Sequence, residues 1–232
     1  MNQKKQQTAL IVGASRGLGW GLAREYLKRG WRVTATVRDA RADTPLHQLQ
    51  RNYPALEIEV VDIDVADQVA SLHERLQGRR FDLLYLNAGV TNDPSETIGE
   101  VSSAEFLRVM TTNALSPLRF IETFLDCVDR EGLIAAMSSE LGSIEHNDGG
   151  GWEVYRASKA ALNMLMKSLS ARAGGHRTWY VVAPGWVRTD MGGAAAPLDI
   201  DTSIPRVADA LESRKGSEGL VYVNYRNEIL PW

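Results

Sequence analysis

The sequence predicts an α/β fold in which one domain, residues 1–232, is built on a doubly wound parallel sheet of about seven strands. Three observations predict it. Short apolar runs of strand composition alternate with helical patterns along the chain. The first run ends in a glycine-rich turn that opens a helix. Distinctive polar or glycine-rich residues then follow strand after strand, at the sheet edge where such folds bind ligands.

The strands are predicted from apolar and β-branched runs bounded by turn signals. They are residues 9–12, 32–37, 56–61, 81–86, 132–137, 178–183 and 219–223. The helices are expected after Gly19, after Pro45, from a cap at Asp67 to about Leu76, after the capping box at residues 102–105, over residues 113–128, from Trp152 to a stop at Gly174 and Gly175, and over residues 204–211.

Composition narrows the class of protein. The apolar content is 44% and the net charge is −3, so no basic field indicates nucleic acid or a membrane surface as partner. No apolar run approaches 18 residues, which predicts a soluble, cytoplasmic protein. Cys127, the single cysteine, excludes an intramolecular disulfide and fits a reducing compartment. Together with four scattered histidines it gives no zinc-ligand spacing, so no metal is expected.

The turn after the first strand has the pattern Gly13-x-x-x-Gly17-x-Gly19. Glycines there permit a tight turn and a close approach to a pyrophosphate, which the following helix N-terminus attracts. A glycine turn without a ligand is the alternative. The spacing is not that of a P-loop, because no Gly-Lys-Ser/Thr follows. The strand–turn–helix setting therefore predicts dinucleotide binding.

The end of the second strand indicates which dinucleotide binds. Arg38 stands where NAD-dependent sites place an acid, and Arg16 in the glycine turn supplies a second cation. Arginine forms paired, charge-assisted hydrogen bonds with a phosphate, so NADP(H) is predicted rather than NAD(H). Asp39 directly after Arg38 argues the other way, and both arginines could be ordinary surface residues.

Tyr155 and Lys159 are four residues apart, on one face of a predicted helix that follows the fifth strand. A nearby ammonium favours the phenolate, which would let the tyrosine exchange protons nearer neutral pH. Such spacing is common on helix surfaces, so alone it decides little. Ser139 at the end of the fifth strand could donate to a carbonyl oxygen, and Asp64 could accept from an adenine amino group. For Asn113, a purely structural role is as reasonable as a part in proton relay.

Six motifs in order resemble the short-chain dehydrogenase/reductase family over nearly the whole chain. They are GASRGLG at 13–19, LNAG at 86–89, Asn113, Ser138-Ser139, YRASK at 155–159 and PGWVRTDMGG at 184–193. The last motif, with the ending ILPW, resembles the sniffer and C-factor type of carbonyl reductase. The family has a Rossmann-type fold, and the resemblance implies a catalytic set of Asn113, Ser139, Tyr155 and Lys159.

The resemblance also implies a set of cofactor-binding residues. They are Gly13, Ser15, Arg16, Gly17, Leu18, Gly19, Arg38, Asp64, Asn87, Ala88, Gly89, Tyr155, Lys159, Pro184, Gly185, Val187 and Thr189. The implied reaction is NADPH-dependent reduction of an aldehyde or ketone, with the proton coming from Tyr155. Lys159 would hold the nicotinamide ribose and favour the tyrosinate, and Asn113 would position Lys159 through water.

The sequence departs from the family pattern in three places. Leu86 stands where a second asparagine is frequent, and Asn227 where glycine is frequent. A polar insert at 145–151 makes the substrate loop individual. Leu141, Ile144, Trp152, Trp186 and Met191 would flank the substrate if the resemblance extends that far, or would be packing residues. The substrate is therefore expected to be a partly apolar small-molecule carbonyl or alcohol.

Two other classes remain as alternatives. One is a non-enzymatic, NADP(H)-binding regulatory or signalling protein of the same fold, which the C-factor resemblance makes conceivable. The other is an extended epimerase or dehydratase, whose glycine spacing differs and whose longer substrate domain does not fit in 232 residues. Relatives assemble through helices that flank the sheet, so a homodimer or homotetramer is expected.

Overall fold

Seven parallel strands form one sheet in the computed structural model, which describes residues 6–173 and 176–232. The strands are β1 Thr8–Val12, β2 Arg32–Val37, β3 Leu56–Val60, β4 Phe81–Leu86, β5 Val128–Met137, β6 Thr178–Ala183 and β7 Gly219–Asn224. Their order is β3-β2-β1-β4-β5-β6-β7, and every pairing is parallel. The strand order reverses between β1 and β4, which opens a crevice at the carboxyl ends of these two strands.

Helices cover both faces of this sheet. They are α1 Gly17–Lys28, α2 Pro45–Asn52, α3 Ala66–Arg75, α4 Ser103–Met110, α5 Ser116–Thr123, α6 Glu153–Ala173 and α7 Ile200–Ser213. The predicted fold class is confirmed. The predicted helix stop at Gly174 and Gly175 lies outside the described residues. Among the residues that are described, no helix is long and apolar enough to cross a bilayer.

Two hydrophobic cores, one on each face, follow from the two-residue period of the strands. In β1, Ile11 packs with α1, α2 and α7, while its neighbour Leu10 packs with α3, α5 and α6 on the other face. Both side chains are fully buried. Burial on both faces explains why the strands read as continuous apolar runs rather than as alternating ones.

The region around Asn113 differs from the prediction. Residues 103–123 form one continuous helical stretch in which a π-turn, Thr111–Leu115, joins α4 to α5. The predicted helix over residues 113–128 is wrong at both ends: Asn113 lies inside a helical stretch that begins at Ser103, and at the other end α5 stops at Thr123 and Val128 already begins β5. Pro117 contributes to the irregularity, since it has no N–H for the carbonyl four residues earlier, that of Asn113.

Two smaller predictions are also settled by the structure. Ser102 caps α4 as predicted, since its hydroxyl accepts from the Glu105 N–H at 3.1 Å. Asp67 lies in the first turn of α3 and does not cap it, because the cap position belongs to Val65.

Asn227, which stands in place of a frequent glycine, has a φ of 64°. Asparagine tolerates this left-handed conformation better than most residues, so the substitution preserves the turn.

Candidate active site

Tyr155 and Lys159 lie on the buried face of α6, with 9% and 3% of their surfaces exposed. The Lys159 ammonium is 5.6 Å from the centroid of the Tyr155 ring and donates to the Met137 carbonyl at 2.9 Å. Met137 is the last residue of β5. One helical turn therefore brings both side chains to the carboxyl edge of the sheet, as the four-residue spacing predicts.

Ser139 is placed by the turn that follows β5. It precedes a 3₁₀ turn, Glu140–Gly142, and its hydroxyl oxygen accepts from the Leu141 N–H at 3.2 Å. The same hydroxyl lies near the Tyr155 phenol and lowers its pKa. A hydroxyl has one proton and two acceptor lone pairs, so accepting from Leu141 leaves its proton free for a second oxygen. Ser139, Tyr155 and Lys159 form a connected group, as predicted.

The protonation states differ from the expectation of a favoured phenolate. Burial raises the pKa of Tyr155 to about 12, and the nearby Ser139 hydroxyl offsets only part of this rise. Burial also lowers the pKa of Lys159 to about 8. Desolvation disfavours both charged forms, and it outweighs the attraction between them in the unliganded chain. Tyr155 is therefore held as a neutral phenol, which can donate a proton.

Asn113 is fixed by three hydrogen bonds of its side chain. Its Oδ1 accepts from the Val90 N–H at 2.8 Å, and its Nδ2 donates to the Val90 carbonyl at 2.8 Å and to the Ser158 hydroxyl at 2.9 Å. Ser158 in turn donates to the Tyr155 carbonyl at 2.7 Å. The side chain thus ties the segment after β4 to α6, which is the structural role that the sequence left open.

The glycine turn packs tightly against the end of β4. A Cβ on Gly13 would lie 2.8 Å from the Ala88 backbone, and a Cβ on Gly19 would overlap the Gly13 carbonyl oxygen. Asn87 donates to that carbonyl at 2.8 Å. Gly17 has a φ of 59°. At positions 13 and 19 the glycines are therefore required by the packing of the turn itself, before any ligand is considered.

This turn suits a dinucleotide phosphate. No side chain caps α1, and its first turn holds no acidic residue, so its N–H groups and positive dipole end are available to an anion. The Oδ1 atom of Asn87 is buried and has no hydrogen-bond partner among the described residues. A buried acceptor without a donor is suited to a ligand hydroxyl or amino group.

The residues predicted to contact the adenosine half lie in different settings. Arg38 follows β2 and is exposed, as a phosphate-binding residue requires. Arg16 instead forms an ion pair with Asp190 at 2.6 Å, although both side chains are more than 70% exposed. Asp64 is exposed at the end of the β3 segment, where it accepts from the Thr112 hydroxyl at 2.6 Å.

The segment after β6 reaches the glycine turn. Thr189 lies beside Gly17, where a Cβ would be 3.7 Å from the threonine methyl group. Val187 is buried and bridges to Leu198, and the Pro184 carbonyl accepts from Ser203 of α7 at 2.7 Å. These contacts place the segment over the same edge as the glycine turn.

The candidate substrate residues fall into two groups. Trp152 packs edge-on against the Tyr155 ring, with ring centroids 5.8 Å apart, and Leu141 lies in the Ser139 turn. Trp152 has a φ of 53°, which is unusual for a bulky residue. Trp186 and Met191 are 57% and 40% exposed on the segment after β6. Ile144, the fifth candidate, is 77% exposed, so the structure brings two of the five residues to the catalytic group.

Two polar residues that belong to this site were not predicted. Asn163, one turn beyond Lys159, accepts from the Ser138 hydroxyl at 2.8 Å and donates to the Gly142 carbonyl at 3.3 Å. The Tyr222 hydroxyl of β7 donates to the Ser139 carbonyl. The four-residue spacing from Lys159 could have indicated Asn163, whereas no local pattern marks Tyr222.

A separate group of side chains that could ligate a metal lies away from the carboxyl edge of the sheet. Ligand atoms of His73, Asp126 and Cys127 come within 4.8 Å of one another. The His73 imidazole and the Asp126 carboxylate are 2.8 Å apart, and burial, with the nearby Asp126 carboxylate, raises the pKa of the Cys127 thiol. The spacing along the chain did not predict this group.

Comparisons with known proteins agree with this geometry. The profile of the short chain dehydrogenase family matches residues 7–197. A Burkholderia multivorans structure described as a short-chain dehydrogenase/reductase with bound NADP is 52% identical, with a TM-score of 0.96 over 98% of this chain and 100% of that one. The carbonyl reductase Sniffer of D. melanogaster is 31% identical, with a TM-score of 0.86 over 98% and 100%. The C-signal protein of Myxococcus xanthus is 36% identical over 65% of this chain and 92% of its own.

We expect Gly13→Ala to destabilise the protein more than Gly78→Ala. Both glycines have a positive φ, 84° and 81°, but only Gly13 would meet a neighbour. The shared backbone strain costs about 1–2 kcal/mol, and the overlap with Ala88 adds about 1–3 kcal/mol. Urea unfolding measures both. Equal losses in the two variants would show that the turn has room for a side chain.

We expect Lys159→Met to stabilise the unliganded protein at pH 7. The folded-state pKa of about 8 lies below the ordinary 10.5, so below pH 8 the protonated amine disfavours the folded state. Removing it should add about 1–3 kcal/mol to the free energy of unfolding. The gain should disappear between about pH 8 and 10.5, where the wild-type lysine loses its proton first in the folded and then in the unfolded chain.

The control for that variant is Lys167→Met, which removes an exposed lysine of the same helix. Urea unfolding at pH 7 and pH 10 should show a pH-dependent gain for Lys159→Met and little change for Lys167→Met. A loss of stability in Lys159→Met at pH 7 would mean that burial does not disfavour the ammonium.

Proposed function

Because the chain belongs to the short-chain dehydrogenase/reductase family and is thus an oxidoreductase, we propose that it reduces an aldehyde or ketone to an alcohol with NADPH. The observation that carries this proposal is the neutral, buried Tyr155 phenol, which lies near the Ser139 hydroxyl and one turn from Lys159, at the sheet edge that also holds the glycine turn. A carbonyl oxygen at this edge would meet two hydroxyl donors, while bulk water is largely excluded by the burial of Tyr155.

Different residues would bind the different parts of the cofactor. The α1 N-terminus and residues 13–19 would hold the pyrophosphate, and the unpartnered Asn87 Oδ1 would accept from the adenosine half. Lys159 would donate to the nicotinamide ribose, and Thr189 lies beside Gly17, where it can contact the nicotinamide side. When bound, the reduced nicotinamide supplies a hydride to the carbonyl carbon.

Ser139 and Tyr155 would act on the substrate oxygen. Both hydroxyls would donate to it, which stabilises the negative charge that develops as the carbonyl carbon accepts hydride. Tyr155 then transfers its phenolic proton to that oxygen, and the product is the alcohol. Proton transfer by a positioned side chain contributes roughly 10²–10⁴-fold to the rate of such reactions.

Lys159 would stabilise the tyrosinate that remains. Its ammonium, 5.6 Å from the ring centroid, offsets the new negative charge, and burial strengthens the attraction between them. Its lowered pKa also makes its proton easier to release toward solvent. The Asn113 side chain joins the Val90 segment to α6. Pro117 has no N–H to donate to the main-chain carbonyl of Asn113, so that carbonyl can bind a relay water.

The alternative remains an NADP(H)-binding regulatory protein without turnover, in keeping with the similarity to the C-signal protein. The connected group of Ser139, Tyr155 and Lys159 supports the enzyme, because a protein that only bound the cofactor would not need a buried proton donor. A panel of aldehydes, ketones, diketones and quinones, followed by NADPH absorbance, distinguishes the two. NADPH binding without consumption across the whole panel would favour the regulator.

The site also supports a proposal for the substrate class, and the surface supports one for the oligomeric state. Trp152 beside Tyr155, with Leu141 in the Ser139 turn, supports a partly apolar carbonyl compound. Exposed apolar side chains on α4 and α6, among them Leu107 and Met164, support self-association through these helices, so a homodimer or homotetramer stays a prediction. A cytoplasmic location also stays a prediction.

We expect Tyr155→Phe to reduce kcat by at least about 10²-fold while leaving the Kd of NADPH within twofold. The phenyl ring keeps the packing and removes only the proton donor. Tyr26→Phe is the control, because Tyr26 is equally buried in α1 and its hydroxyl has no hydrogen-bond partner among the described residues. Unchanged turnover in Tyr155→Phe would overturn the mechanism.

We expect Arg38→Ala to raise the KM of NADPH by about tenfold to a hundredfold and to leave that of NADH nearly unchanged. Only NADPH carries the 2′-phosphate that the guanidinium would bind, and a hydrogen bond to a charged group contributes about 1.5–3 kcal/mol. Arg41→Ala, a nearby exposed arginine, is the control. Equal changes for both cofactors would show that Arg38 does not bind the 2′-phosphate.

A further inference from the structure

Tyr222 reaches the Ser139 turn from β7, on the face of the sheet that α6 covers. It lies on β7, 1% exposed, and its hydroxyl donates to the Ser139 carbonyl. That carbonyl also accepts from the Gly142 N–H at 2.9 Å, so both of its lone pairs are used. The two donors fix the peptide that carries Ser139, and with it the direction in which the Ser139 hydroxyl points.

The residues after β7 hold the Tyr222 ring in place. The chain turns at Asn227 and returns along β7, where the Leu230 N–H donates to the Tyr222 carbonyl at 2.9 Å. The Trp232 ring then packs on the Tyr222 ring, with centroids 5.4 Å apart. The Trp232 carbonyl accepts from the Glu145 N–H at 3.3 Å, which ties the same segment to the loop after Ser139.

We propose that Tyr222 is a positioning residue, and that Trp232 holds it so that the Ser139 hydroxyl faces Tyr155. Tyr222 itself touches neither substrate nor cofactor; it acts through the Ser139 backbone. This inference rests on the proposed function for its kinetic consequence, whereas the contact it describes exists in the unliganded chain.

The arrangement has a consequence for proton transfer. The Ser139 hydroxyl lowers the pKa of Tyr155, so a displaced Ser139 should let that pKa rise further. The titratable groups around the phenol are Lys159 from its own helix and Tyr222 from β7, with Glu140 acting on Tyr222. Tyr222→Phe removes one of these groups, but burial raises the pKa of Tyr222, so its hydroxyl is neutral and no charge is lost; Lys159 and Glu140 are kept, and the change in the pH profile reports on Ser139.

The test compares Tyr222→Phe with Tyr180→Phe. Tyr180 is a fully buried tyrosine of the neighbouring strand, whose hydroxyl bonds to carbonyls of α7 away from the site. We expect Tyr222→Phe to lower kcat by about tenfold to a hundredfold and to move the pH–rate profile for alcohol oxidation upward, with the KM of NADP unchanged. Tyr180→Phe should leave kcat and the profile unchanged. Trp232→Ala should change kcat and the pH–rate profile in the same direction as Tyr222→Phe, but by less. Ile229→Ala, whose side chain is 67% exposed in the same segment, should change neither.

Amide hydrogen exchange of the unliganded protein tests the contact without turnover. We expect faster exchange at Leu141 and Gly142, whose N–H groups bond to Ser139, in Tyr222→Phe but not in Tyr180→Phe. Wild-type kcat, profile and exchange in Tyr222→Phe would overturn the positioning role, and so would equal effects in Tyr180→Phe. A wild-type protein without turnover would contradict the proposed function only, because the exchange comparison would still decide whether Tyr222 orders the Ser139 turn.

Discussion

The candidate site depends on burying a phenol and an amine together with very little solvent contact. Water would stabilise the charged forms of Tyr155 and Lys159, and its exclusion is what keeps the tyrosine protonated and lowers the pKa of the lysine. The surroundings offer polar partners in place of hydration: a β5 carbonyl accepts from the amine, and the Ser139 hydroxyl lies near the phenol. The strand ends, the serine turn and α6 must all be in register for these contacts to form.

The sheet provides that register. Parallel strands end at one edge, and the reversal of strand order between β1 and β4 leaves room there for a ligand. The glycine turn after β1 is pressed against Ala88 after β4, so its shape is set by neighbouring strands and not by the turn alone. The glycine turn and the Tyr155 helix are therefore both positioned by the same edge of the sheet.

The strands, the glycine turn and the Tyr155 helix could be predicted because each has a local signal: an apolar run, a glycine spacing or a four-residue period. The π-turn could not, since the hydrogen bonds between Asn113 and Val90 join residues 23 positions apart in the chain. The neutral state of Tyr155 was missed for a similar reason. Sequence spacing shows the nearby lysine and its attraction, but only the folded packing shows the desolvation that outweighs it. Tyr222 lies 83 residues from Ser139, beyond any local pattern.

The pairing of β1 with β4 has a consequence for how the protein is made. Ala9 pairs with Leu83, and Gly13 packs on Ala88, so the glycine turn depends on contacts between segments more than seventy residues apart. During synthesis the first two β–α units can collapse before β4 exists, but the turn cannot take its final shape until then. Such long-range pairing slows folding. We therefore expect cofactor binding to be acquired late on the folding route, after the helices have formed.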